Sequence, residues 1–242
     1  MTGTELEGRT AVVTGGGRGI GRNIALGLAA EGANVVLAAR SEDEITNVAD
    51  VVRERGGEAI AVSADVTATE DVGTLFERAR ESFGQVDLLV NNAGTAAHGN
   101  TWELSDEEWT RVIDVNLNGT FRCTREALNG GMLERGEGTI VNVGSLTGKI
   151  GFAGTSAYGA SKHGIQGLTN TLAKELKDSD VRVHTVCPGQ VRTEMTDDIA
   201  EIDRLEPDDV TDIVVFLATR PARAYIPEVV VVPPDTIPVV YH

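Results

Sequence analysis

Seven short apolar runs, rich in β-branched residues, recur along the chain, and each is separated from the next by a longer amphipathic segment. They are TAVVT at 10–14, NVVLAA at 34–39, EAIAVSA at 58–64, VDLLVNN at 86–92, GTIVNVGS at 138–145, VRVHTVCP at 181–188 and EVVVV at 228–232. A run that is apolar at consecutive positions leaves no face for water, so it fits a strand covered on both sides, and the segments between runs supply helical covers. Ser41 with Glu44 and Ser105 with Glu108 have capping-box spacing, and Pro207 stands where a first helical turn tolerates proline. Alternation of this kind predicts an α/β fold of Rossmann type, a doubly wound, seven-stranded parallel sheet flanked by helices. Right-handed crossovers then bring the ligand-binding strand ends to one edge. No linker, repeat or low-complexity run interrupts the sequence, so 1–242 is expected to form a single domain.

Directly after the first run comes TGGGRGIG, Thr14 to Gly21. Glycines there permit a tight turn and close approach of backbone to a pyrophosphate, while the following helix aims free N–H groups at the anion. Gly15, Gly17, Arg18, Gly19, Ile20 and Gly21 are therefore the expected phosphate site. The spacing is GxxxGxG, without the lysine-hydroxyl pair of a nucleotide-hydrolysing loop. A carboxylate ending the second strand would bond the ribose 2′-hydroxyl of NAD. That place reads AARS, with Arg40 where the acid would stand. Arg40 and Arg18 offer two cations to a 2′-phosphate, so NADP(H) is expected over NAD(H); the competing reading leaves both as solvated surface charges.

YGASK, Tyr158 to Lys162, follows the fifth run. Tyrosine with its ordinary pKa near 10 is a poor base at neutral pH. A lysine at i+4 shares its helical face, and a nearby ammonium favours the phenolate, giving an acid and base suited to a carbonyl or alcohol oxygen. The pair is common by chance and gains weight only from its company.

That company is TGGGRGIG at 14–21, DV at 65–66, NNAG at 91–94, Asn116 within DVNLNGTF, Ser145 after the fifth run, YGASK, and PGQVRTEM at 188–195. Together, and in this order, these motifs resemble the short-chain dehydrogenase/reductase family, with an oxoacyl-reductase-like core. The resemblance implies a nicotinamide cofactor, usually a homotetramer or homodimer, and catalytic roles for Asn116, Ser145, Tyr158 and Lys162. Tyr158 would be the acid and base, Lys162 would bind the nicotinamide ribose and lower the tyrosine pKa, Ser145 would bond the substrate oxygen, and Asn116 would hold a water relaying to Lys162. Asp65 and Val66 would touch adenine; Asn92, Ala93 and Gly94 would line the cofactor; Pro188, Gly189, Val191 and Thr193 would frame the nicotinamide. Ala96, Leu146, Phe152, Gln190 and Met195 would line a moderately apolar substrate pocket.

Two departures from the family pattern bear on substrate. The segment after PGQVRTEM is short where many relatives carry a covering lid, and IPEVVVVPPDTIPVVYH resembles instead the proline-bearing tail of hydroxy-acid and aldehyde reductases. His163, Cys187, Trp102 and Trp109 are expected to pack rather than react, and His98 to face solvent or substrate.

A net charge of −16 repels nucleic acid phosphates and anionic lipid, so the expected partner is a small carbonyl or alcohol, with neither nucleic acid nor membrane. Only Lys149, Lys162, Lys174 and Lys177 among 21 basic residues are lysines; an acidic, lysine-poor surface suggests a halophilic setting, against an ordinary acidic cytoplasmic protein. Two dispersed cysteines give no disulfide framework or metal site, and the basic, apolar pattern of a secretory leader is missing from MTGTELEGRT, which together point to the cytoplasm. An alternative to the oxidoreductase is a non-catalytic NADP-binding sensor on the same fold.

Overall fold

The computed structural model describes residues 5–196, 203–221 and 223–236. All seven expected strands form, with ends shifted by at most two residues: β1 (Thr10–Thr14), β2 (Asn34–Ala39), β3 (Ala59–Ser63), β4 (Leu88–Asn91), β5 (Glu137–Val143), β6 (Asp180–Pro188) and β7 (Glu228–Val231). They pair in parallel in the order β3-β2-β1-β4-β5-β6-β7. The helices are α1 (Gly19–Ala30), α2 (Glu42–Glu54), α3 (Thr69–Phe83), α4 (Asp106–Ile113), α5 (Gly119–Ala127), the single turn α6 (Leu133–Arg135), α7 (Ser156–Glu175) and α8 (Pro207–Ala218).

Successive strand residues point to opposite faces, and the two faces carry separate cores. Val13, Val35, Leu37, Val90 and Val141 meet Ile24 and Leu28 of α1, Ile45 and Val48 of α2, and Val214 and Leu217 of α8. Val12, Val36, Leu89, Ile140 and Val183 meet Leu75 and Phe76 of α3, Cys123 of α5 and Leu172 of α7. The edge strands β3 and β7 are only half-buried, unlike the five between them, because each lacks a neighbour on one side. The order of strands reverses between β1 and β4, and the loops leaving their C-terminal ends open a crevice there.

Helix starts divide the sequence expectations. Ser105 and Glu108 form the reciprocal capping box that opens α4. Ser41 stands at the N-cap of α2 but its side chain bonds no backbone N–H. The acidic first turn Glu42, Asp43 and Glu44 meets the helix dipole there instead, and Glu44 leans on the glycine loop, within 2.8 Å of where a Cβ on Gly17 would stand. Between α4 and α5 the chain widens into a π-turn, Asp114–Asn118, a local distortion that places Asn116. No helix among the described residues is long and apolar enough to cross a membrane, and no cluster of metal-ligating side chains occurs among them. The short segment at 197–202 and the end of the tail at 237–242 lie outside the described residues.

Candidate active site

Thr14, the last residue of β1, ties two loops together. Its hydroxyl accepts from the amides of Asn92 and Ala93 at 3.0 and 3.1 Å, and the Asn92 amide group donates to the carbonyls of Thr14 and Gly15 at 3.0 and 3.1 Å. This lashing leaves no room for side chains in the glycine loop. A Cβ on Gly21 would lie 2.1 Å from the Gly15 carbonyl oxygen, and one on Gly15, whose φ is +64°, would lie 2.9 Å from Ala93 Cα. Helix α1 begins at Gly19 with no side-chain cap and no acidic residue in its first turn, so its first N–H groups remain available to an anion. A methyl-free cradle beneath an uncapped helix end fits a dinucleotide pyrophosphate. Gly21→Ala forces backbone apart and is expected to cost about 1–3 kcal/mol of stability. Coenzyme affinity should fall with it; thermal melting and titration of the variant measure both.

Around the cradle the other expected cofactor residues take distinct places. Arg18, at the N-cap of α1, is exposed and its guanidinium pairs with Glu194 at 2.7 Å. Arg40 lies at the end of β2 and lines an open cleft of about 490 Å³ with Asp65, Thr67, Arg111 and Asp114. Partial burial pushes the Asp65 carboxyl up, but the Thr67 amide and hydroxyl, with Arg40 and Arg122 nearby, outweigh it and hold the group below the ordinary carboxylate value. Val66 is buried against Gly119, where a Cβ would come within 2.7 Å of it. Gly94 sits above Asn116, Ile20 packs against the core beneath α1, and Gly189 donates to the Val231 carbonyl at 2.8 Å, just after Pro188 ends β6. Val191 is bridged to Leu205, and Thr193 reaches the glycine loop, 3.4 Å from where a Cβ on Gly19 would stand.

The four expected catalytic residues converge beside this cradle. Ser145 leaves β5 and caps a short turn, its hydroxyl accepting from the Thr147 amide at 3.1 Å and standing near enough to the Tyr158 phenol to favour its charged form. Tyr158 and Lys162 stand one turn apart on α7, with the ammonium 5.5 Å from the ring centroid. Lys162 is 5% exposed, and its ammonium donates to the Val143 carbonyl at 2.7 Å. Burial pulls its pKa down to about 8. The expectation that this ammonium lowers the tyrosine pKa is not met. Burial, the largest influence on Tyr158, raises the phenol, while the Ser145 bond pulls the other way; the lysine is committed to a backbone carbonyl and is itself made less basic.

Asn116 is a staple. Its carbonyl oxygen accepts from the Thr95 amide at 2.8 Å, and its NH₂ donates to the Thr95 carbonyl at 2.9 Å and to the Ser161 hydroxyl at 3.0 Å. Both ends of the amide, expected to hold a water, are thus engaged with protein. Ser161 in turn donates to the Tyr158 carbonyl at 2.7 Å and is fully buried. Within YGASK this serine passes for a small spacer; it joins the π-turn to α7. Thr14 and Thr95 were likewise invisible as site residues, since a threonine at a strand end has many ordinary uses.

The substrate side is less enclosed. Residue Gly99 bridges to Thr155, joining the loop after β4 to the loop before α7, with Leu146 buried and Phe152 41% exposed. Ala96 and Gln190 are half-buried, and the Met195 side chain lies outside the described residues. Trp102, expected to pack, is 82% exposed because it falls in a turn before α4 rather than on the helix. His163 is exposed and bonds the Gly159 carbonyl one turn back, and His98 is exposed. Cys187 is buried, which pushes its thiol up to about 11 and makes it inert.

The buried lysine gives a stability prediction. A lysine whose folded pKa, about 8, lies below its unfolded value near 10.5 destabilises the fold while protonated in water's favour, so its penalty is full below pH 8 and is relieved as pH rises toward 10.5. The stability difference between Lys162→Met and the natural chain should therefore shift in favour of the natural chain as pH rises from 8 to 10.5, read by denaturant melts across that window. A flat difference would show that the ammonium is not desolvated.

Comparison with known proteins places this geometry. Residues 9–203 match the family model described as short chain dehydrogenase. A 3-oxoacyl-[acyl-carrier-protein] reductase of Synechocystis is 40% identical over 233 residues, covering 92% of this chain and 94% of the relative. A putative ketoacyl reductase of Streptomyces coelicolor is 43% identical over 196 residues, 81% of this chain and 75% of the relative. Among solved structures, a variant of actinorhodin polyketide ketoreductase with NADPH superposes with a TM-score of 0.89 at 35% identity, over 99% of this chain and 100% of that one. A metagenomic short-chain oxidoreductase in complex with NADP gives 0.84 at 36% identity, over 95% and 98%. With the family model spanning most of the sequence and the sheet, cradle and Ser145–Tyr158–Lys162 cluster in place, the chain belongs to the short-chain dehydrogenase family and is an NAD(P)-dependent oxidoreductase.

Proposed function

We propose that the chain is an NADP(H)-dependent reductase interconverting a ketone or aldehyde with an alcohol, with a 3-oxoacyl thioester among its candidate substrates. The observation that carries this reading is the Ser145, Tyr158 and Lys162 cluster opening onto the glycine cradle, with Arg40 where an NAD-binding acid would stand. The nicotinamide coenzyme, when bound, supplies the hydride that reaches the carbonyl carbon. The chain's residues manage the oxygen. Ser145 donates a hydrogen bond to it, and Tyr158 gives it a proton as charge develops, so the product leaves as a neutral alcohol. The phenol is protonated at neutral pH by its ordinary pKa and burial pushes it further up, so it stands in the state a proton donor needs. Lys162, with its pKa near 8, returns the proton to Tyr158 and also holds the nicotinamide ribose. Asn116 fixes the helix that carries both, by way of Ser161. Gly15, Gly17, Gly19, Ile20 and Gly21 hold the pyrophosphate, Arg18 and Arg40 the 2′-phosphate, Asp65 and Val66 the adenine end, and Asn92, Ala93, Gly94, Pro188, Gly189, Val191 and Thr193 the nicotinamide end.

The finer setting belongs to the same proposal. The protein works in the cytoplasm as a homotetramer or homodimer, and exposed Phe121 on α5 and Leu133 on α6, with Phe216 on α8 and Val230 on β7, supply apolar surface for such contacts. The net charge of −16 suits concentrated salt. The test is a paired fluorescence titration with NADPH and NADH at low and molar salt. NADPH binding the more tightly supports the reading; preference for NADH would return Arg18 and Arg40 to the status of surface charges.

A further inference from the structure

Among the described residues, the Arg18 guanidinium pairs with a carboxylate. Its Nη1 meets Glu194 Oε2 at 2.7 Å, and both side chains are largely exposed. This contact joins two segments that are far apart in sequence, the glycine loop after β1 and the turn Glu194–Thr196 after β6. The turn is anchored on both sides. Thr196 Oγ1 donates to the Val191 and Thr193 carbonyls and accepts from the Thr193 amide, and residues 190–192 pair with Leu205, with Arg192 ion-paired to Glu206 at 2.8 Å. Thr193 also approaches the loop without charge, its Cγ2 lying 3.4 Å from where a Cβ on Gly19 would stand. Glu194 is thus held near the phosphate loop by the hydrogen bonds of its own turn as well as by its attraction to Arg18.

We infer that Glu194 sets coenzyme discrimination by competing with the 2′-phosphate for Arg18. This rests on the reading that Arg18 serves a 2′-phosphate. With Nη1 held by the Glu194 carboxylate, part of the guanidinium's charge and donor capacity is committed, so a phosphate reaching Arg18 either displaces the carboxylate or binds beside a second anion. NADH carries a hydroxyl where NADPH carries that phosphate, so it asks nothing of Arg18 and escapes the competition. Glu194 therefore weakens NADPH selectively and narrows a preference that Arg18 and Arg40 create. Because the ion pair is exposed, salt screens it, and the competition fades in molar salt.

The experiment is a fluorescence titration of NADPH and of NADH against the natural chain, Glu194→Gln, Arg18→Gln and the double variant, with thermal melts confirming that each folds. The expected result is NADPH affinity raised about two- to fivefold in Glu194→Gln, the range an exposed pair supports. NADH affinity stays constant, and the gain is lost when Arg18 is also replaced. Equal tightening of both coenzymes overturns the inference, since it would mean general relief of negative charge. Unchanged or weakened NADPH binding also overturns it, and weakening would mark Glu194 as a residue that orients Arg18 for the phosphate. The natural chain's own preference is read separately in the same experiment: if it favours NADH the coenzyme reading falls as well, whereas an NADPH preference untouched by Glu194→Gln removes only the role of Glu194.

Discussion

Tyr158→Phe is expected to lower kcat for carbonyl reduction by about 10²–10⁴-fold while leaving NADPH affinity within about twofold of the natural chain. The ring is retained, so the packing of α7 and the cation over its face are retained; only the hydroxyl beside Ser145 is lost. Without a proton donor at the carbonyl oxygen, the charge that develops there on reduction is left unneutralised, and the barrier rises accordingly. Steady-state kinetics and a coenzyme titration on one preparation check both halves. Full activity in the variant would remove Tyr158 from the chemistry. Loss of coenzyme binding together with activity would show that the hydroxyl matters to the architecture instead.

Arg40→Ser is expected to weaken NADPH by on the order of tenfold or more and to leave NADH unchanged or slightly tighter, because a charge-assisted contact to phosphate contributes about 1.5–3 kcal/mol. Arg40 is exposed at the mouth of its cleft, with Asp65 and Asp114 among the walls, so the lower end of that range applies. The lost cation also stands near Asp65, whose carboxyl it helps to hold down. Titrations of both coenzymes decide the matter. Equal loss for NADPH and NADH would mean that Arg40 shapes the cleft without reading the phosphate, and no loss would make it a solvated charge.

Much of the architecture was legible because its strands are apolar on both faces. VVT, VVLAA and IVNV have no other home than a covered parallel sheet, and the glycine loop directly after the first of them announces which crevice it lines. What the sequence left obscure is what the residues do to one another across the fold. Ser41 and Glu44 have the spacing of a cap, yet Glu44 is drawn to the glycine loop and the box does not close. Tyr158 and Lys162 have the spacing of a charge-activated pair, but spacing carries no information about burial or about the Val143 carbonyl that takes the ammonium. Ser161 and Thr14 are ordinary in sequence, and their roles rest on partners 45 and 78 residues away. Likewise Glu194 becomes a neighbour of Arg18 only when β6 is laid beside β5 and its following turn folds back over α1.

The most direct measurement is NADPH consumption with a panel of ketones, aldehydes and a 3-oxoacyl thioester, followed at neutral pH in low and molar salt with product identified by mass. Oxidation of NADPH matched one for one by a product two hydrogens heavier than its carbonyl precursor is the result expected of a reductase built on Tyr158. Tight NADPH binding with no turnover of any carbonyl, in either salt, would contradict it and leave a coenzyme sensor on the same fold.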